Sequence, residues 1–334
     1  MKRSLYCFTT ASVLTMVVAG FSAPAFAQDV AADDVGIDDI VVTAQRREQS
    51  LQDVPMSISA IGADTLRDAG ATGIAGIAGL VPSLSLVANN QPLAQSYRIR
   101  GLGTDPNIPT FEPSVALFID GVYMPRSGLG VDDLVDIERV EVLKGPQSTL
   151  YGKNATAGVI SVVSARPSSR FEGHVEGSLS WIEGGRTPLA YRFAGSVSGP
   201  ISNRIRARLT GVYYEAGASF RNLTGAEQAN EMQRYAVRGQ IEFDLTDTIT
   251  LNLTGARSEV LDSNGTNPDW TRGVSPEPSF LLDNNAALNA RFGVTACPDN
   301  NPTNRVICTT DPSRWSGSPN MLSATLPADL GLAT

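Results

Sequence analysis

From residue 171 to residue 255 the chain runs through five consecutive segments in which apolar residues or glycines occupy every second position. Gly173, Val175, Gly177, Leu179 and Trp181 alternate with His174, Glu176, Ser178 and Ser180, and the same period continues through 191–198, 205–214, 234–243 and 249–255. A period of two belongs to a strand with one apolar and one polar face; no helix satisfies it. Each segment has about the length that crosses a bilayer as a tilted strand. The connections alternate as well, with longer loops at 183–189 and 216–232 and tight turns at 200–203 and 245–247. A soluble sandwich would also alternate. Trp181, Tyr191, Tyr213 and Phe243 sit at strand ends, where a membrane barrel carries its aromatic girdles, and they favour the barrel.

Beyond Ser258 the alternation stops. Residues 259–334 are rich in Asn, Pro, Asp and Ser, and they read as one long surface loop with no clear strand. Five strands cannot close a barrel, and an open sheet in lipid leaves backbone groups unpaired. Plugged transporter barrels use about 22 strands. The chain therefore reads as incomplete for a membrane protein.

The N-terminus carries an export signature. Lys2 and Arg3 precede an uncharged, mostly apolar stretch, and Ala25-Phe26-Ala27 supplies a small-x-small cleavage pattern. The apolar stretch is shorter than the roughly 18–20 residues of a spanning helix, which argues against a retained anchor. Residues 1–27 are read as a signal peptide, with the mature chain starting at Gln28. Its removal takes two basic residues from the chain's 26 and none of its 34 acidic ones. The net acidity that remains argues against a nucleic-acid partner. Cys297 and Cys308 remain after Cys7 is lost. Export makes them a candidate small-loop disulfide, with metal binding the alternative, although the chain's one histidine, His174, is far away.

Residues 53–167 read as one α+β domain. Met56, Ile58 and Ala60 alternate as a strand; 64–69 reads as a short helix ended by Gly70; Ile74, Ile77 and Leu80 have helical spacing up to Pro82. Asp120-Gly121 between 115–119 and 122–124 is a two-residue hairpin signal. Residues 137–142 and 159–163 are further strands. Two glycine patterns mimic nucleotide motifs and fail. The stretch from Gly145 to Lys153 has two residues too many between its glycines for a P-loop and no hydroxyl after the lysine, and Gly101-Leu102-Gly103 lacks a third glycine. No histidine cluster, metal-ligand spacing or nucleophile–base pair is present, so neither catalysis nor a cofactor is expected.

Ahead of this domain lies a linker, 28–52, with an acidic lead-in at 28–39, and in it Ile40, Val41, Val42 and Thr43 form a short β-branched strand. An exposed strand near a free terminus is a handle that another protein's sheet edge can pair with. The alternative is an ordinary first strand of the domain that follows.

Four segments now match a known pattern: DDIVVTAQRREQSLQDVPMSISA (38–60), RIRGLG (98–103), SVALFIDGVY (114–123) and DIERVEVLKGPQSTLYGKNATAGVISVVSARP (136–167). On these the chain resembles the TonB-dependent outer-membrane receptors, which take up scarce nutrients such as ferric siderophores and vitamin B12. The resemblance implies an α+β plug domain (53–167) followed by antiparallel transmembrane β-barrel strands, with 171–258 the first five of about 22. It implies a location in the outer membrane of a Gram-negative bacterium, among outer-membrane lipid, and transport of an iron chelate or another small molecule without catalysis. It also implies partners, TonB and its inner-membrane energising complex, pairing with a TonB box at Asp39, Ile40, Val41, Val42, Thr43 and Ala44 that substrate makes available. Arg100, Arg139 and Lys144 match family positions that pair with carboxylates on later barrel strands; solvated edge charges are the alternative. Asn89, Asn90, Gln91, Thr104, Asp105 and Asn107 are candidate substrate-facing residues of plug loops. Signalling members carry an extra domain before the box, for which residues 28–38 are too few. A non-transporting fragment or a periplasmic plug-type binding module is the remaining alternative.

Overall fold

The structure is a computed structural model of the chain, and it describes residues 41–43, 49–52, 54–88, 95–106, 111–126, 135–181, 189–218, 221–222, 231–262, 306–307 and 315–327. Two short antiparallel strands come first, β1 (Val41–Val42) and β2 (Gln49–Ser50). β3 (Ile58–Gly62) runs into α1 (Ala63–Asp68), and the chain leaves that helix through Gly70 at a φ of 62°. α2 (Ile74–Leu80) buries Ile74 and Ile77 and ends before Pro82. β4 (Leu84–Ala88), β5 (Gln95–Ile99) and β6 (Leu102–Gly103) form a small antiparallel sheet. β7 (Val115–Ile119) and β8 (Val122–Met124) make the hairpin expected at Asp120-Gly121, with φ of 48° and 80° at its two turn residues. β9 (Ile137–Lys144), α3 (Ser148–Tyr151) and β10 (Gly158–Ser164) complete this part.

Five of these strands form one sheet in the order β3-β9-β10-β7-β8, with β10 parallel to β7 and antiparallel to β9. Both faces are covered. On one, Leu117, Val140, Val142, Ile160 and Val162 pack with Leu66, Ile74 and Ile77 from the helices. On the other, Ala116, Phe118, Leu143 and Val159 pack with Val42 and Val54 from the N-terminal segment. Burial on both sides explains why β7 and β10 read as nearly continuous apolar runs. β10 starts at a close backbone approach, since a Cβ on Gly158 would lie 2.5 Å from both Ile99 Cδ1 and the Leu143 carbonyl oxygen.

β11 (Glu172–Trp181), β12 (Leu189–Ser202), β13 (Ile205–Ala216), β15 (Met232–Asp244) and β16 (Thr250–Asp262) then pair antiparallel in sequence order. Between β13 and β15 lies β14 (Arg221–Asn222), which pairs parallel with β17 (Val306–Ile307). The long strands carry Val175, Phe193, Val197, Leu209 and Val237 exposed on one face. Arg192, Ser196, Ser198, Arg208, Thr210, Arg234, Gln240 and Glu242 are buried on the other. Apolar outside and polar within is the pattern of a sheet that crosses lipid. Among the described residues no helix is long and apolar enough to cross a membrane.

The reading of 259–334 as strandless needs correction. β16 itself runs on to Asp262, and β18 (Trp315–Gly317) and β19 (Asn320–Thr325) pair antiparallel with it. Val260↔Gly317 and Arg257↔Asn320 share one register, so the two pieces are a single sixth strand. Pro319 interrupts it, because proline has no N–H for the ladder, while its carbonyl still accepts from Ser258 N at 3.1 Å. The proline, and an apolar set reduced to Met321 and Leu322, hid this strand in the sequence.

Candidate functional site

The N-terminal strand is docked. Val42 has no exposed surface and lies among Val54, Ala116, Phe118, Leu143, Ala155 and Val159. Val41 and Val42 pair with Ser50 and Gln49 of β2. Thr43 is anchored by a carboxylate, since its N–H donates to Glu141 Oε1 at 2.9 Å and its hydroxyl donates to the same oxygen at 3.0 Å. Tyr151 adds a hydroxyl donated to the Thr43 carbonyl at 3.3 Å. Glu141 is itself fully buried on β9, and Arg139, two residues earlier on the same face, donates from Nε to its Oε1 at 2.8 Å. Arg139 also pairs with Glu138. A buried carboxylate is tolerated only when it is paired and hydrogen-bonded; here Thr43 supplies two of the donors.

A second site lies at the other end of the same strand. Asp136 immediately precedes β9 and adopts a φ of 58°, a left-handed conformation that aspartate tolerates better than most residues. Its carboxylate is 3% exposed and receives both arms of Arg208 from β13, Nε to Oδ2 at 2.5 Å and Nη2 to Oδ1 at 2.6 Å. The Thr210 hydroxyl donates to Oδ2 at 2.7 Å. Arg238 of β15 donates from Nη2 to the carbonyl oxygens of Val135 and Asp136 at 3.0 and 3.1 Å. Arg208 reaches further, to the Arg166 carbonyl at 3.0 Å and Glu172 at 2.9 Å. Burial pushes the Asp136 carboxyl up, but the hydrogen bonds from Arg208 and Thr210 and the charges of Arg208 and Arg238 outweigh it, holding it below its ordinary 3.8. The two-armed geometry gives direction as well as attraction.

The residues singled out in the sequence are distributed as follows. Of the box, Val41, Val42 and Thr43 are docked as described, and Asp39, Ile40 and Ala44 lie outside the described residues. Arg100 is exposed, with φ of 54°, and donates to the Ser57 hydroxyl at 3.2 Å. Arg139 is spent on its own strand, and Lys144 closes β9 with its N–H on the Ser57 carbonyl at 2.9 Å. The carboxylates expected to meet these three would lie on later barrel strands; on the strands described, the plug–wall contact joins an acid of the plug, Asp136, to Arg208 and Arg238 of the wall. Thr104 and Asp105 are described, and the Thr104 hydroxyl ties its loop to the Glu112 carbonyl at 2.9 Å. Asn89, Asn90, Gln91, Asn107, Cys297 and Cys308 lie outside the described residues. His174 shares the polar face and pairs with the Ser196 hydroxyl at 3.0 Å. No group of metal-binding side chains is found among the described residues.

A family model described as the TonB-dependent Receptor Plug Domain matches residues 50–159. The Pesticin receptor of Yersinia pestis is 32% identical over 165 residues, which is 49% of this chain and 23% of that protein. The ferric yersiniabactin uptake receptor from Yersinia pestis is a structural neighbour, with a TM-score of 0.55 at 24% identity over 63% of this chain and 32% of the other. The ferripyoverdine receptor of the outer membrane of Pseudomonas aeruginosa matches with a TM-score of 0.62 at 20% identity, covering 86% of this chain and 34% of that one. The chain spans about a quarter of the length of the curated relatives it matches. Residues 50–159 match the plug domain of TonB-dependent receptors, and the strands that follow in order give the chain a fold similar to that of the outer-membrane receptors of this family.

Proposed function

We propose that this protein takes part in TonB-dependent uptake of a scarce nutrient, a ferric siderophore or a similar large chelate, across the outer membrane. The observation that carries the reading is the β-branched strand at Val41–Thr43, which stands just before the plug and rests on it through a few reversible bonds. Asp39 to Ala44 act as the TonB box. Released from Glu141, the segment offers its main chain to TonB's sheet edge, and the inner-membrane complex pulls on it. Added-strand pairing accepts almost any extended segment, so the box can be both a plug strand and a handle. The relatives named for iron chelates support the substrate class.

Proline at the centre of the box removes a donor and fixes φ. In a full-length version, Val42→Pro is expected to abolish energised uptake of radio-iron ferripyoverdine or ferric yersiniabactin by producing cells while leaving chelate binding at the cell surface. Unchanged uptake refutes the box, and no uptake by the unaltered protein refutes the substrate class. A peptide of residues 38–45 should bind the C-terminal domain of TonB.

A further inference from the structure

We infer that the outward face of the barrel strands carries a docking site for a phosphorylated glycolipid of the outer leaflet, with an acyl chain in an apolar furrow and a phosphate at Arg257. The inference goes beyond the uptake reading and does not depend on it. A furrow of about 890 Å³ crosses this face from β12 to β19. Small residues floor it: Gly199 and Ala207 face each other on β12 and β13, as Gly239 and Gly255 do on β15 and β16. A Cβ on Gly239 or Gly255 would meet no atom of the described residues within 4 Å. Phe171, Leu209, Leu253 and Leu322 stand exposed around this floor. From Val197 on β12 to Leu322 on β19 the furrow crosses about 19 Å of sheet, comparable to a stretched acyl chain.

What lies above the furrow selects its occupant. β15 and β16 join through a tight turn, which in an outer-membrane barrel lies on the periplasmic side, so β16 runs outward from Thr250 to Asp262. On β15 the band from Phe243 to Tyr235 has about the length that crosses a bilayer as a tilted strand. Tyr235 pairs with Glu259, so Arg257 sits one step inside that boundary, about 7 Å along β16 from Gly255. Its side chain is 60% exposed, and the long stem lets the charge reach the headgroup level. Its ties within the protein are long: Nη1 donates to Asn320 Oδ1 at 3.4 Å, and Nη2 lies 3.9 Å from Glu259, whose carboxylate also accepts from the Tyr235 hydroxyl. An apolar partner or a second copy would have to bury this charge, whereas a lipid phosphate pairs with it. Beside it, the Tyr191 hydroxyl donates to Glu215 at 2.6 Å, Tyr213 donates to the same carboxylate, and Gln233 donates to the Tyr213 hydroxyl at 2.7 Å. The Tyr191 and Tyr213 rings stack with centroids 6.0 Å apart. Aromatic faces with hydroxyl, amide and carboxylate groups at the interface suit a sugar head, which a plain phospholipid lacks.

The test weighs a full-length version of the protein intact, by native mass spectrometry from micelles, after incubation with bisphosphorylated lipid A or with phosphatidylglycerol. The unaltered protein should retain lipid A several-fold more often than phosphatidylglycerol; equal retention overturns the glycolipid assignment. Removing the phosphates from lipid A should lower retention several-fold. Arg257→Gln should lower retention of the phosphorylated form to the same extent and abolish the difference between the two forms. Gly255→Leu fills the furrow and should lower retention of both forms. Heat-modifiable migration on gels checks that each variant is folded, and the comparison of the two lipid A forms on the unaltered protein needs no variant at all. Retention that responds neither to dephosphorylation nor to the substitutions overturns the site. A mass of two copies that Gly255→Leu reduces to one would make the furrow an interface between copies and overturns it as well.

Discussion

Asp136 shows how much one side chain can decide. Its neighbours in sequence, Val135 and Ile137, are ordinary apolar residues, and nothing in the local pattern marks the aspartate as more than a strand start. What gives it weight is the arrival of Arg208 and Thr210 from more than seventy residues away. Asp136→Asn keeps the shape and removes the charge, leaving Arg208 with the half-exposed Glu172 as its acid. Removing one partner of a buried pair costs about 3 kcal/mol. The pH dependence follows from the direction of the shift: a carboxyl whose folded pKa lies below its ordinary value adds stability at pH above that ordinary value and loses it as the pH falls through the folded one. The urea midpoint of the micelle-embedded protein, followed by tryptophan fluorescence, should therefore be lower for Asp136→Asn than for the unaltered chain at pH 7. The gap should narrow as the pH falls below the ordinary 3.8 and through the lower folded value. A gap that stayed constant with pH would mean that the carboxylate's charge is not what holds the contact.

At the scale of elements, periodicity and turn signals made the five long strands, two of the three plug helices and the hairpin legible in the sequence; α3, a single turn with no buried residue, left no pattern to read. Docking of β1 was not legible. The same four β-branched residues satisfy a free handle and a buried strand, and only Glu141 and the apolar seat around Val42 separate the two. The sixth strand was lost for a different reason, the proline inside it. The plug–wall contact was missed because the sequence shows which residues are charged but not which face of a distant strand they will meet. For β1 the docked state has a direct test. Glu141→Gln keeps one oxygen for Thr43 but weakens a charge-assisted bond to a neutral one, a loss of about 1 kcal/mol. The peptide bonds near Gln45–Arg47 should become several-fold easier for trypsin to cut from the periplasmic side. Protection equal to that of the unaltered protein would show that the packing of Val42, not the carboxylate, secures the strand.

At the scale of the whole molecule, the two faces of the barrel strands set the fold's solvent. Phe193, Val197, Leu209 and Val237 would be a large aggregation-prone patch in water. Facing lipid, they are the surface the medium selects. The arginines and carboxylates of the opposite face are then confined to the interior, where they have to find one another or the plug, and the clasp at Asp136 is one outcome of that confinement. Position 237 discriminates between the two media by magnitude. Val237 is about half exposed and lies near the middle of β15. At a water-facing site Val237→Arg would change stability by no more than about 0.5 kcal/mol. At the bilayer midplane an arginine costs about 2–4 kcal/mol. Refolded into phospholipid vesicles and titrated with urea, Val237→Arg should lose stability in the larger range. A change within the smaller range would place this face in water and remove the basis for reading the sheet as a membrane wall.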